Sequence, residues 1–300
     1  YPNPRRIGLV FVDCLDSSRR WSENTCLPDV RLKNKMTHTY ETITLETDDR
    51  GVATLRLNRP EKHNALNDVM IQELRHSAAE LAADDGVRVV VLTGTGKSFC
   101  AGGDFKWFEK TMEKPRMERT FESGELGRML RDLDPLPKPL IGHINGHAYG
   151  GGVGMMSVCD VTIGGNASRF GLTEVRIGLI PANISPYVIN RIGTANSRAS
   201  MLSGALFDGN RAGQIGLLSF VVDNVEIQAR VEAVILDHLE AAPGAVAETK
   251  RLIRYVDAHN LEDNVQYTQD RLADAWETGE GKTGVAAFLN KKLPPWRSDA

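Results

Sequence analysis

The segment that decides the fold reads Asn145-Gly146-His147-Ala148-Tyr149-Gly150-Gly151-Gly152 and leads into the apolar run Val153 to Val158. Glycine has no Cβ, so a run of glycines lets the backbone approach a ligand closely and adopt positive φ angles. A triple glycine that opens an apolar helix also leaves unpaired N–H groups, where the helix dipole favours negative charge. The alternative is an ordinary tight turn before a buried helix, and for one loop alone the two interpretations carry equal weight.

A second glycine loop lies upstream, and an acidic residue lies downstream. The upstream loop is Ser98-Phe99-Cys100-Ala101-Gly102-Gly103-Asp104, and the downstream segment is Phe170-Gly171-Leu172-Thr173-Glu174. Together the loops predict two backbone N–H donors that face one carboxylate. Such an arrangement suits a carbonyl whose oxygen becomes an oxyanion during the reaction. The alternative for Glu174 is an exposed side chain, or one paired with Arg176.

Strand and helix patterns alternate along the chain. Residues 51–58 alternate apolar and polar side chains, which predicts a half-buried strand. Residues 68–83 carry apolar side chains at helical spacing, with Asn67 as the expected N-cap. Buried strands are predicted at Val87 to Leu92, Leu140–Ile144 and Val161–Ile163, which favours an α/β core with right-handed crossovers. Further helices are expected at 185–192, 195–203, 210–216, 225–240, 243–257, 260–277 and about 283–292.

Composition excludes several classes of protein. The 300 residues are 41% apolar and 25% charged, which is ordinary for a globular protein. The net charge of -3 favours neither nucleic acid nor an anionic membrane as a partner. The four cysteines show neither metal-ligand spacing nor a disulfide pattern, so we predict no metal and a reducing, cytoplasmic location. The sequence contains no run of about 18 apolar residues, so no transmembrane helix is predicted.

The chain divides into three predicted regions. Residues 1–35 are expected to be a non-native or flexible N-terminal extension, residues 36–230 the core, and residues 231–300 a helical C-terminal region. A transit peptide is the alternative for the first region, although its acidic residues disfavour it. Within the core, residues 105–132 are charged and predict a solvated helical face or a mobile flap.

The glycine loops and the acidic segment resemble the enoyl-CoA hydratase/isomerase family, also called the crotonase family. Further matches are Leu57-Asn58-Arg59-Pro60-Glu61-Lys62-His63-Asn64-Ala65-Leu66, Lys138-Pro139-Leu140-Ile141 and Ala286-Ala287-Phe288-Leu289-Asn290-Lys291. The resemblance covers about residues 38 to 296. It implies a spiral of ββα units, a C-terminal helical region used in trimer formation, and a homotrimer or homohexamer.

The same resemblance assigns roles to individual residues. It implies that the N–H groups of Gly103 and Gly151 bind the thioester oxygen of an acyl-CoA, and that Glu174 moves the proton or positions water. Coenzyme A enters as part of the substrate, and no separate cofactor is implied. The positions that match family contacts to coenzyme A are Lys62, Ala65, Ala101, Phe105, Lys106, Phe288 and Lys291. The first five are expected within one subunit, and the last two reach the coenzyme A of a neighbouring subunit.

One position departs from the family pattern. Gly154 stands where many family hydratases carry a second glutamate, and one carboxylate is enough for a double-bond isomerase. However, residues 150–154 and 173–188 resemble bacterial methylglutaconyl-CoA hydratases, so our interpretation is a hydratase, with a Δ3-Δ2-enoyl-CoA isomerase as the alternative. Glu118, Glu122 and Glu125 are candidate second acids. Arg176 could neutralise a substrate carboxylate, and a surface ion pair is its competing role.

Two further hypotheses belong to other classes of protein. RNA binding would require a lysine-rich helix, but residues 72–85 are acidic and would repel the phosphates of a nucleic acid. A catalytically inactive scaffold would explain the missing second acid, but it would not explain why Glu174 and both glycine loops are present. His143 and His147 are expected to pack or face solvent rather than bind a metal.

Overall fold

The computed structural model describes residues 39–297. The strands are β1 Ile43–Thr47, β2 Val52–Leu57, β3 Val89–Gly94, β4 Ser98–Cys100, β5 Leu140–Ile144, β6 His147–Tyr149, β7 Val161–Gly165, β8 Arg169–Gly171, β9 Phe207–Asp208 and β10 Phe220–Val222. The α-helices are α1 Asp68–Ala83, α2 Phe105–Met112, α3 Arg116–Leu133, α4 Gly151–Ser157, α5 Ser185–Met201, α6 Gly209–Gln214, α7 Ile227–Leu239, α8 Pro243–Ala258, α9 Leu261–Glu277 and α10 Gly279–Leu289.

The strands form two sheets. The larger sheet has six strands in the order β1-β2-β3-β5-β7-β10, and the smaller has four in the order β4-β6-β8-β9. All neighbouring strands run parallel except β1 with β2 and β8 with β9. Each of three successive turns of the chain therefore gives one strand to the larger sheet, one to the smaller sheet, and then a helix. This repeat is the ββα spiral that the family resemblance implies.

The two faces of the larger sheet belong to two apolar clusters. Alternate residues of β3 separate between them: Val90 and Leu92 join the larger cluster, while Val89 and Val91 join a smaller one that includes α7. A parallel strand covered on both faces reads as a continuous apolar run, which is why this segment shows no alternation in the sequence. Leu55 of the neighbouring strand β2 faces the larger cluster and is fully buried.

Most predicted elements appear close to their predicted bounds. The side chain of Asn67 accepts a hydrogen bond from the N–H of Met70, which confirms it as the N-cap of α1. The helices predicted at 185–192 and 195–203 correspond to the two halves of α5, which a non-helical kink at Gly193 separates. The short strands of the smaller sheet escaped prediction, because three residues are too few to show a period.

The predicted boundaries between the three regions of the chain are not tested by the described residues. The expected extension, residues 1–35, lies outside the described residues. The predicted division between residues 230 and 231 falls within α7 and stays a prediction. Among residues 39–297, no helix has the length and apolar character needed to cross a membrane.

The last three helices meet the rest of the chain through polar contacts. Lys250 on α8 pairs with Asp160 at 2.6 Å, and Arg254 pairs with Asp134 at 3.0 Å. Asn264 is the one buried residue that α8, α9 and α10 contain. Large apolar side chains on these helices are instead exposed, among them Ile253, Leu261, Leu272, Trp276, Phe288 and Leu289.

Candidate active site

The three segments that carry the predicted chemistry meet at one edge of the smaller sheet. Gly103 follows β4, Gly151 follows β6 and Glu174 follows β8. These strands are adjacent and parallel, so their carboxyl ends lie side by side. Ligands of α/β proteins commonly bind outside such carboxyl ends. The topology therefore brings together residues that lie more than 20 positions apart in the sequence.

The first loop presents the N–H of Gly103. The N–H of Leu66 donates to the carbonyl of Gly102 at 2.7 Å, and the N–H of Asp104 donates to the carbonyl of Leu66 at 2.8 Å. Because a trans peptide is planar, the N–H of Gly103 points opposite to the carbonyl of Gly102 and hence away from Leu66. Within residues 39–297 this N–H donates to no acceptor.

The second loop presents the N–H of Gly151. Gly150 has φ +47° and ψ -113°, a conformation that side chains strongly disfavour, and its N–H donates to the carbonyl of Gly171 at 2.9 Å. The carbonyl of Gly150 accepts from the N–H of Gly154 at 3.1 Å and so points along α4. The N–H of Gly151 points the opposite way, out of the helix start, and it too has no acceptor in the described chain.

Glu174 lies directly beside the second loop. A Cβ added to Gly150 would lie 2.8 Å from Oε1 of Glu174 and 3.9 Å from Cα of Gly102. The carboxylate and both glycine loops therefore occupy one small volume. Burial raises the pKa of Glu174 above its ordinary value of 4.5, although a hydrogen bond from its own backbone opposes the shift. Its Oε2 is buried and has no hydrogen-bond partner among the described residues. A carboxyl in this state is suited to exchange a proton with a ligand.

The position of the missing second glutamate is filled by apolar side chains. A Cβ added to Gly154 would lie 2.6 Å from Cγ2 of Ile184 and 3.4 Å from Cδ1 of Leu130. A Cβ added to Gly151 would lie 2.6 Å from Cδ1 of Leu66. This side of α4 is therefore packed, and it cannot hold a longer side chain without displacing its neighbours.

Two of the three candidate second acids are committed to other partners. Glu125 accepts hydrogen bonds from Gln72 at 2.8 Å and from Arg128 at 2.8 Å, and it pairs with Arg75 at 2.5 Å. Burial alone would raise the pKa of Glu125, but these donors hold it below its ordinary value. Glu122 pairs with Lys114, while Glu118 lies exposed on the first turn of α3.

The expected coenzyme A positions fall into two groups. Ala65 and Ala101 lie on adjoining loops, joined by a hydrogen bond from the N–H of Ala101 to the carbonyl of His63 at 2.9 Å. Lys62, Phe105 and Lys106 are exposed around these loops. Phe288 and Lys291 lie at the end of α10, where Phe288 is 82% exposed. Their contacts to coenzyme A stay predictions.

Other polar residues near the site have structural partners. Nε of Arg176 donates to the carbonyl of Ser203 at 3.2 Å. Nδ1 of His147 accepts from the N–H of Arg169 at 2.9 Å and so joins β6 to β8. Burial, and then the charge of Arg56, lower the pKa of His143 to about 4, so it is neutral at pH 7. The described residues contain no cluster of His, Cys, Asp or Glu that could hold a metal ion.

Sequence reasoning missed the residues that surround the reacting groups. The ring of Phe108 covers Gly103 so closely that an added Cβ there would clash with it. Leu126 and Leu130 form part of the apolar wall near Gly151 and Gly154. Their i, i+4 spacing on α3 was a usable signal, but it does not reveal which helix the pair faces.

Known proteins resemble this chain over most of its length. The family model described as enoyl-CoA hydratase/isomerase matches residues 47–299. The chain belongs to the enoyl-CoA hydratase/isomerase family. This assignment confirms the predicted crotonase resemblance and fold class, while a methylglutaconyl-CoA specificity lies beyond it.

Relatives within the family include both hydratases and an isomerase. The enoyl-CoA hydratase ACTT6 of Alternaria alternata is 32% identical over 248 residues, covering 82% of this chain and 81% of the relative. The 1,2-epoxyphenylacetyl-CoA isomerase of Escherichia coli is 30% identical over 250 residues, covering 82% and 95%. A crystal structure of an enoyl-CoA hydratase from Shewanella pealeana superposes with a TM-score of 0.82 at 31% identity, covering 85% of this chain and 96% of that one. Family membership supports an enzyme that acts on acyl-CoA thioesters by hydratase or isomerase chemistry.

Proposed function

We propose that the protein adds water across the 2,3 double bond of an enoyl-CoA, with Glu174 as the lone acid–base group. The observation that carries this proposal is the carboxylate of Glu174 beside Gly150, close to the amides of Gly103 and Gly151, which have no acceptor among residues 39–297. The amides of Gly103 and Gly151 would bind the thioester oxygen. Losing one such donor typically costs about 2.7–4 kcal/mol of transition-state stabilisation.

One carboxylate is sufficient for the complete hydration step. Glu174 takes a proton from water while the water oxygen bonds to C3, and the electron pair of the double bond moves toward the thioester oxygen. The resulting enolate is held by the two amides. Glu174 then returns its proton to C2, which restores the carbonyl and regenerates the carboxylate. Atoms and charge balance without a second acid.

The finer proposal concerns the acyl group. The likeness of residues 173–188 to methylglutaconyl-CoA hydratases supports a branched glutaconyl thioester, whose distal carboxylate would need a cation. Arg176 is the proposed partner of that carboxylate, since only its Nε has a hydrogen-bond acceptor among residues 39–297. Arg176→Met should raise KM for 3-methylglutaconyl-CoA by about tenfold, the loss expected for one exposed charge-assisted contact, and leave KM for crotonyl-CoA unchanged.

The second candidate function is Δ3-Δ2-enoyl-CoA isomerisation. The packing of Ile184 and Leu130 against Gly154 favours it, because a 1,3-proton shift uses one carboxylate and no water. Here Glu174 would take a proton from C2 and return it to C4.

A thioester panel separates the two functions. Hydration of crotonyl-CoA or 3-methylglutaconyl-CoA removes the conjugated enoyl absorbance, whereas isomerisation of a 3-enoyl-CoA creates it. Decay of the absorbance with the 2-enoyl substrates supports the hydratase. If the absorbance instead increases with the 3-enoyl substrate and stays constant with the 2-enoyl substrates, the protein is the isomerase and not the hydratase.

The assembly and the location complete the proposal. The exposed apolar side chains of α8, α9 and α10 support burial of these helices between copies of the chain, as a homotrimer or homohexamer. Sedimentation of the full chain tests this, and a monomer at micromolar concentration would contradict it. The cysteine pattern continues to support a cytoplasmic location.

A further inference from the structure

We propose that Arg59 is a positioning residue that fixes the Gly103 amide through Asp104 and ties it to the loop that carries Ala65. This proposal rests on the function proposed above, because it assigns to Gly103 a thioester oxygen. Arg59 follows β2 and has no place among the residues that the sequence assigned to the site.

The guanidinium of Arg59 joins two loops that are far apart in the sequence. Its NH1 donates to the carbonyl of Ala65 at 2.6 Å, and its NH2 pairs with Oδ2 of Asp104 at 2.9 Å. The two side chains of the pair are only 15% and 13% exposed. A planar guanidinium suits two acceptors held at a fixed angle, which an ammonium group cannot match.

Asp104 is held on three sides. Besides Arg59, its Oδ1 accepts from the N–H of Lys106 at 2.9 Å, which makes Asp104 the N-cap of α2. Its own N–H donates to the carbonyl of Leu66 at 2.8 Å. Burial alone would raise the pKa of Asp104, but Arg59 and Lys106 hold it below its ordinary value, so the carboxylate stays ionised.

These contacts surround the one bridge that orients the Gly103 amide. Leu66 pairs with Gly103 in a parallel bridge. Arg59 donates hydrogen bonds to Ala65, which precedes Leu66, and to Asp104, which follows Gly103. If the guanidinium is lost, the backbone hydrogen bonds between Leu66 and the loop remain, but no side chain then joins Ala65 to Asp104, the residue next to Gly103. A displacement of about 1 Å at an oxyanion donor is enough to lower a rate about 100-fold.

The loop of Ala65 is also the loop expected to receive the adenine end of the substrate. Arg59 would therefore connect the loop at the adenine end to the amide that polarises the thioester. Asn64, fully buried, supports the same loop by donating to the carbonyls of Thr95 and Ser98 at 3.0 and 2.9 Å, so the loop keeps its fold without Arg59.

The test substitutes Arg59→Lys and Asp104→Asn in the full-length chain. Lysine keeps the charge and asparagine keeps the N-cap, so both variants should fold. We expect kcat with the best 2-enoyl-CoA substrate to fall between about 10-fold and 100-fold, with KM changed by less than about threefold. The double variant should lose no more than the worse single variant, because both break one contact.

A spectroscopic readout separates positioning from general stability. Cinnamoyl-CoA absorbs further to the red when its carbonyl is polarised, so the wild type should shift its band and Arg59→Lys should shift it less. Arg88→Lys is the matched control. The guanidinium of Arg88 also donates to backbone carbonyls, those of Leu239 and Ala241 at 2.9 Å each, but it lies in a different part of the chain. The control substitution should lower the melting temperature and leave the band and kcat unchanged.

Each outcome decides the proposal. A band shift in Arg59→Lys equal to that of the wild type, or a kcat within twofold, overturns the positioning role and leaves the proposed function intact. A wild-type shift that weakens in Arg59→Lys, without turnover of any 2-enoyl-CoA, supports the positioning role and refutes the hydratase. No shift in the wild type refutes both.

Discussion

The two sides of the candidate site differ in chemistry although they share the helix start at Gly151. On one side, Glu174 places a half-buried carboxylate with an unpartnered oxygen next to Gly150. On the other side, Ile184 and Leu130 close the space above Gly154. The packing around Gly154 leaves no room for a second acid at that position, so the structure and the sequence agree there. Four predictions test this contrast.

The largest effect is expected on the polar side, from Glu174→Gln. Glutamine keeps the size of the side chain but cannot accept or return a proton, and loss of a general acid–base typically costs about 10²–10⁴ in rate. We expect kcat of the Glu174→Gln variant to be lower than that of the wild type by this factor, as measured by the decay of the enoyl absorbance. Binding of a non-hydrolysable acyl-CoA should persist. Retention of more than a tenth of the activity would remove Glu174 from catalysis.

The next effect should come from Gly150→Ala, which crowds the same carboxylate. The added Cβ would lie 2.8 Å from Oε1 of Glu174, and φ of +47° disfavours any side chain. Displacing the carboxylate by about 1 Å should lower kcat about 100-fold. The matched control is Gly193→Ala, which has φ +75° but no atom within 4 Å of the added Cβ. It should lose stability and keep its activity per folded molecule, and equal losses of activity in both variants would refute the contact.

On the apolar side, Gly154→Ala should affect stability before activity. Its Cβ would lie 2.6 Å from Cγ2 of Ile184, and overpacking of this kind costs about 1–3 kcal/mol. Chemical denaturation measures the loss. The control is Gly279→Ala, a helical glycine with open space around the added Cβ, which should be neutral or stabilising. A Gly154→Glu variant that folds and gains hydratase activity would show that the apolar wall can yield to a second acid.

The smallest effect concerns the stability of Glu174→Gln itself. Burial raises the pKa of Glu174, so its protonated form favours the folded state at low pH, and this contribution is lost as pH rises through the raised pKa. At neutral pH the glutamine variant should therefore be more stable, by about 1 kcal/mol, the low end of the cost of an unpaired buried polar atom. The difference should vanish below pH 4.5, the ordinary glutamate value.

Thermal melts of both proteins across this pH range measure the effect. Glu109→Gln, a change at an exposed glutamate on α2, should show no comparable gain and serves as the control. A wild type that is more stable than Glu174→Gln at pH 7 would mean that an unseen partner stabilises the carboxylate.

The sequence predicted helices and strands well where apolar residues repeat over several turns or where a capping residue marks the end of a helix. The helix α1 and its N-cap follow from spacing and from Asn67 alone. The three-residue strands β4, β6 and β8 could not be predicted, because their identity lies in partners from distant segments. The same reason hides the proposed role of Arg59, because its partner Asp104 lies 45 positions away in the sequence.

The sequence by itself determined the identity of the chemical groups: two glycine loops, one carboxylate after them, and glycine in place of a second acid. These are covalent facts, and no folding can alter them. The tertiary structure decided which of these groups meet and which way each one points. Parallel pairing of β4, β6 and β8 aligned the three loops, the planar peptide aimed the Gly103 amide, and the packing of Ile184 closed the space above Gly154. Direction and free volume arise from long-range contacts, which a linear pattern does not contain.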